Sequence, residues 1–130
     1  MPDTTTEDLL ADFTPARPYT RDTLADAPNT PGVHTVLERG VVIYVGRTKN
    51  LRNRMRQHLT GDRQASVLHE QVGAQLDNLG PEATADDIAE WLGGCDIRWL
   101  ETDNPEATKD SLILALKPRL NRQVPGQRRS

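Results

Sequence analysis

The chain has 130 residues, 35% of them hydrophobic and 4% aromatic, which supports one domain with a modest core and leaves no room for a second. Sixteen Lys and Arg against 19 Asp and Glu give a net charge of −3, which excludes a protein that coats nucleic acid through bulk charge. A single cysteine, Cys95, excludes an internal disulfide and a multi-cysteine zinc site and fits a reducing compartment.

Residues 1–30 mix Thr, Asp and Pro, with Leu9, Leu10 and Phe13 as a short apolar cluster, and read as a partly ordered extension. Val33 to Glu38 and Val41 to Arg47 are β-branched and apolar around Arg39-Gly40; a two-residue turn whose glycine takes positive φ makes them a β-hairpin. Val41 to Val45 is almost continuously apolar, the pattern of a strand buried on both faces at the centre of a sheet. After Gly46 the period becomes helical: Asn50 can cap, and Leu51, Met55 and Leu59 recur on one face, with Arg52, Arg54, Arg56 and His58 on the others. Val67, Leu68, Val72 and Leu76 predict a second helix, stopped by Gly80-Pro81. Ile88, Trp91 and Leu92 predict a shorter one that ends at Gly93-Gly94, and both Trp91 and Trp99 belong to apolar stripes, as core residues do. Ile97 to Glu101 alternates as a third strand. Asn104-Pro105-Glu106 starts a last helix with stripe Leu112, Ile113 and Leu116, and Pro118 ends it. The predicted class is α+β, a small three-stranded mixed sheet covered by helices.

The charge is segregated. Residues 38–63 carry seven basic and two acidic side chains and residues 117–130 five basic and none, whereas residues 64–116 carry two basic and eleven acidic. Two basic segments brought together make one cationic face for a phosphate-rich partner. No run approaches the roughly 18 apolar residues of a membrane span, and Asp3, Glu7 and Asp8 do not make the basic start of a secretory signal. A cytoplasmic protein with no membrane association is expected.

Gly32-Val33-His34 and Tyr44-Val45-Gly46 stand nine residues apart on the two hairpin strands, followed by Arg47, Asn50 to Arg54, His58, Leu112-Ile113, Lys117-Pro118 and Leu120-Asn121. In this order and spacing the chain resembles the GIY-YIG nucleases, the catalytic domains of excision-repair and homing endonucleases, over residues 31–122, leaving a basic tail at 123–130. The resemblance implies a nucleic-acid endonuclease, with DNA ahead of RNA as partner, that hydrolyses phosphodiesters with a divalent metal (Mg or Mn). It implies catalytic roles for His34, Tyr44, Arg54 and His58, with the arginine steadying the phosphate. In-line attack needs an oriented nucleophile and cationic stabilisation of the equatorial oxygens.

Two positions depart from the family's pattern. His34 stands in place of the first tripeptide's tyrosine, which keeps a proton acceptor and suits it to a general base. Lys109 stands nine residues before Pro118, where the family has its metal-binding glutamate, and an ammonium cannot ligate a hard cation. Glu106, one turn earlier, is the substitute metal ligand. Without a carboxylate, Arg47 and Lys109 become phosphate-binding groups beside the catalytic four, and metal-free cleavage or a domain that binds nucleic acid or another phosphate ligand without cutting are the alternatives. A small-molecule enzyme on the same scaffold is the third. Lys49, Arg52 and Arg56 read as a solvated cationic face, and His69-Glu70 as surface.

Overall fold

Arg39 and Gly40 both take positive φ, 52° and 82°, the conformation that closes a two-residue hairpin with the right twist. The hairpin they close joins β2 (Gly32–Glu38) to β3 (Val41–Thr48). Around it the computed structural model, which describes residues 6–60 and 66–121, adds α1 (Thr6–Leu9), β1 (Arg17–Pro18), α2 (Arg21–Leu24), α3 (Leu51–Thr60), α4 (Val67–Asp77), α5 (Ala85–Gly93), β4 (Asp96–Glu101), α6 (Pro105–Leu116) and a 3-10 turn at Arg119–Asn121. Arg122, Arg128, Arg129 and the basic tail lie outside the described residues. Among the described residues no helix is long and apolar enough to cross a membrane.

The α+β class and the helix-covered sheet agree with the sequence reading. The sheet itself has four strands in the order β1-β4-β2-β3, and every pairing is antiparallel, in place of three strands and a mixed sheet. The fourth comes from Arg17-Pro18 against Ile97 and Asp96, an edge position that tolerates proline. β3 is an edge strand and not the central one. Its continuous apolar run has another cause: α6 and the α3–α5 group cover the two faces, and the register slips between Val36↔Tyr44 and Leu37↔Val42. Ile43 is the extra residue of this bulge, so Ile43 and Tyr44 both serve the α3 side while Val42 and Val45 serve the α6 side. The exposed edge is closed by Asn121, whose side-chain oxygen accepts from Val45 N at 2.7 Å and whose amide donates to Val45 O at 2.8 Å, satisfying a strand edge that would otherwise pair elsewhere.

Period-two alternation divides the core. Val33, Leu37, Val42 and Val45 pack with Leu112 of α6 and with Leu10 and Phe13. Val36, Ile43, Ile97 and Trp99 pack under Leu51, Met55 and Leu59 of α3, with Leu68, Val72, Ile88 and Leu92 behind them. Residues 6–30 are part of this packing: Tyr19, Leu24 and Ala27 are buried in the α3-side core and Leu10 and Phe13 in the other. Two arginines tie the segment down. Arg98 donates to Leu10 O and Thr14 O and pairs with Glu7, and Arg52 donates to Ala25 O and Ala27 O. Such long-range clamps leave no local pattern, so composition alone reads the segment as an extension.

Gly32 marks the closest approach between β2, β4 and α3. A Cβ there would lie 2.2 Å from Leu100 O and 2.7 Å from a Leu51 methyl, and the backbone carbonyl cannot move aside without breaking the β2–β4 ladder. Gly32→Ala is expected to cost about 3 kcal/mol, read as a lower urea midpoint at unchanged slope.

Candidate active site

His34, Tyr44 and His58 form the polar centre of the α3 side. His34 faces Gly46 across the hairpin and Trp99 on β4, and Tyr44 stands two residues before Gly46 on the same face. His58 comes from the last turn of α3. The ring centroids lie 5.9 Å apart for His34–Tyr44, 5.1 Å for His34–His58 and 5.5 Å for Tyr44–His58. Gly46 is what lets them meet: a Cβ there would stand 2.6 Å from His34 Cε1 and Nε2 and 3.0 Å from Tyr44 Cε2. The second tripeptide therefore ends in glycine for space.

Arg54, one turn before His58 and half-buried, supplies the positive field. Its side chain donates to Gln57 at 3.0 Å, and its charge acts on Tyr19, His34, Tyr44 and His58 alike. Burial, aided by Arg54, holds His34 down at about 3. Burial, then His34, Arg54 and His69, keep His58 well below the usual imidazole range. Burial pushes the Tyr44 phenol up against the opposing pull of Arg54. At neutral pH the centre is thus two uncharged imidazoles and one protonated phenol beside a cation.

This corrects the role read for His34. The sequence suggests an imidazole that titrates near neutrality, but the ring is fully buried, so it is an uncharged acceptor and a weak base. Both its nitrogens, with Nε2 of His58 and of His69, are buried and make no hydrogen bond among the described residues.

His69 is a second correction: it is buried, not on the surface. Its Nδ1–H donates to His58 O at 2.9 Å. Ser66 caps α4 by accepting from His69 N at 3.0 Å and meets Nδ1 of His58. Tyr19, whose hydroxyl donates to Met55 O at 2.7 Å, lies behind the centre. Neither Tyr19 nor Ser66 is signalled by a motif: Tyr19 reaches the site across 36 residues of chain, and Ser66 through the packing of α4 on α3. Cys95 is buried, its thiol pushed up to about 11 mainly by burial.

The remaining predicted residues do not join this centre. Arg47 pairs with Val33 and alternates with Gly46, so it belongs to the α6 face and is exposed. Glu106 is exposed and Lys109 half-buried, both on α6. None of the three makes a hydrogen bond or ion pair with the four among the described residues. Arg47 lies on the opposite face of the hairpin from the rings, and Glu106 and Lys109 make no direct bond to them among the described residues. Among the described residues no three His, Cys, Asp or Glu side chains are placed to hold a metal ion.

Three comparisons bear on this geometry. Residues 27–126 match the family described as GIY-YIG catalytic domain. UvrABC system protein C of Solibacter usitatus is 34% identical over 105 residues, covering 78% of this chain and 14% of that protein. Its counterpart in Caldicellulosiruptor saccharolyticus is 54% identical over 39 residues, 29% of this chain and 7% of that protein. The chain thus spans a small fraction of the curated relatives it matches. Among solved structures, the GIY-YIG N-terminal endonuclease domain of UvrC from Thermotoga maritima, bound to magnesium as its catalytic divalent cation, superposes with a TM-score of 0.50 at 24% identity, over 78% of this chain and 94% of that one. A point mutant of the same domain gives a TM-score of 0.50 at 23% identity, over 79% and 94%.

Proposed function

The chain belongs to the GIY-YIG catalytic domain family, and from that membership we propose that it is a nuclease domain that hydrolyses nucleic-acid phosphodiesters, with DNA as substrate. The observation that carries the reading is the packing of His34, Tyr44 and His58 within 5.9 Å of one another over Gly46, with Arg54 acting on all three.

Each group has a physical task. Arg54 presents its planar donors to the phosphate oxygens, where charge grows in the transition state. The neutral Tyr44 hydroxyl donates to a phosphate oxygen or orients the water. His34, uncharged, accepts a hydrogen bond from the attacking water. As the phosphate offsets the charge of Arg54, one of the two causes that hold His34 down is removed, and the imidazole becomes a better acceptor only once substrate is present. The test is incubation of end-labelled DNA and RNA strands with Mg²⁺, Mn²⁺ or chelator. New ends support the reading, and intact strands in every condition oppose it.

The metal of the family does not find its donors here. By the resemblance Lys109 stands at the family's carboxylate position, Glu106 is exposed, and among the described residues no three His, Cys, Asp or Glu side chains gather for a metal, so no step is assigned to a cation. That mismatch favours a second reading, a domain that binds a phosphate without cutting. Lys109→Glu separates the two: restoring a carboxylate is expected to raise Mg²⁺-dependent nicking by about tenfold or more, measured as initial rate. Loss of nicking in this variant would mark Lys109 as a phosphate contact instead.

A further inference from the structure

α3 carries cations on both flanks. At 100° per residue, Arg52 and Arg56 lie about 160° around the helix from Arg54. On their flank, where α2 comes alongside, Arg21, Leu24, Ala25, Arg52, Arg56 and Thr60 line a groove of about 490 Å³. Three guanidinium groups and no carboxylate line it among the described residues. The Arg52 side chain is fixed by its bonds to Ala25 O and Ala27 O. Arg21 and Arg56 have no side-chain hydrogen bond or ion pair among the described residues. Asp26, on the same segment, is already paired with Arg17 at 3.0 Å. Arg21 and Thr60 also line the neighbouring cavity, which carries Asp86 and Glu90, yet neither carboxylate pairs with Arg21 among the described residues. Packing explains Arg52 but not Arg21 and Arg56 beside it around one open groove, since like charges repel unless an anion joins them.

We propose that this groove is a second phosphate site, which seats a backbone phosphate of the same nucleic-acid strand whose reacting phosphate lies at Arg54. The inference rests on the nuclease reading above. A helix with its side chains is about 10–12 Å across, so a strand that crosses α3 over Asn53 and Gln57 can set nearby phosphates of one backbone at the two sites. The groove contacts the backbone and carries no sequence information.

The experiment is equilibrium binding of an end-labelled single strand across a salt series, for the unaltered chain and for Arg21→Gln/Arg56→Gln. Removal of two phosphate contacts lowers the slope of log K against log salt by about 1.5, so the affinity lost between about 50 and 200 mM salt shrinks about eightfold. Arg21→Lys/Arg56→Lys, which keeps the point charges, is expected to restore the slope. If the double Gln variant does not fold, the single variants serve, each with about half the change. An unchanged slope in variants of a chain that itself binds overturns the groove assignment alone. No binding by the unaltered chain overturns the nuclease reading and the groove together.

Discussion

Arg54→Gln is expected to lower the rate of phosphodiester cleavage by about 10²–10³-fold, the usual loss when one preorganised donor to a transition-state oxyanion is removed. The fold should survive, because Arg54 is half-buried on a helix flank and depresses two imidazoles that are already neutral. Its loss therefore leaves a second mark that a packing residue would not: the His34 and His58 imidazoles move up. Arg54→Lys should recover little, since an ammonium lacks the planar fork that grips two oxygens at once. Single-turnover rates and imidazole titrations followed by NMR check both parts. A variant that cleaves at the original rate would remove Arg54 from the site.

Acid should unfold this chain earlier than its carboxylates alone would. All three histidines of the sequence are buried. His34 is held at about 3 against 6.5, so the unfolded chain takes up a proton below pH 6.5 that the native ring refuses. The stability tied to that refusal is fully present above pH 6.5 and declines as pH falls to about 3. It amounts to about 5 kcal/mol for His34. His58 is shifted in the same direction and adds to the loss. Urea unfolding between pH 7.5 and 5, above the range where most carboxylates titrate, should show stability level down to pH 6.5 and then falling by about 1.4 kcal/mol per pH unit for His34, with His58 steepening the fall. His34→Phe should flatten part of that slope. Constant stability over this interval would mean the imidazoles are hydrated in the native state.

The parts of the molecule that local pattern controls were legible in the sequence. The Arg39-Gly40 turn, the α3 stripe of Leu51, Met55 and Leu59, and the stop at Pro118 each depend on neighbours a few residues away, and the structure has them in place. The convergence of His34, Tyr44, Arg54 and His58 was legible because hairpin and helix are consecutive. What was hidden depends on contacts between distant segments. Tyr19 is buried by α3, and Arg98 and Arg52 secure residues 6–30 across the sheet and the helix. His69 sits next to Leu68 on α4, and only the approach of α3 turns its side chain from solvent to core. The edge position of β3 was masked because two layers cover its faces and Asn121 covers its edge. The burial of His34, which turns a near-neutral base into an uncharged acceptor, is a property of the finished core and of no single motif.

All of this depends on a phosphate seated against Arg54 above the ring cluster, and the histidine resonances observe that event. Imidazole signals of His34, His58 and His69 would be followed by NMR while an uncleavable phosphorothioate strand is titrated in. A seated phosphate offsets the Arg54 charge, so His34 and His58 should shift in step with binding and become easier to protonate. Saturating binding that leaves both rings unchanged would place the strand elsewhere and contradict the site.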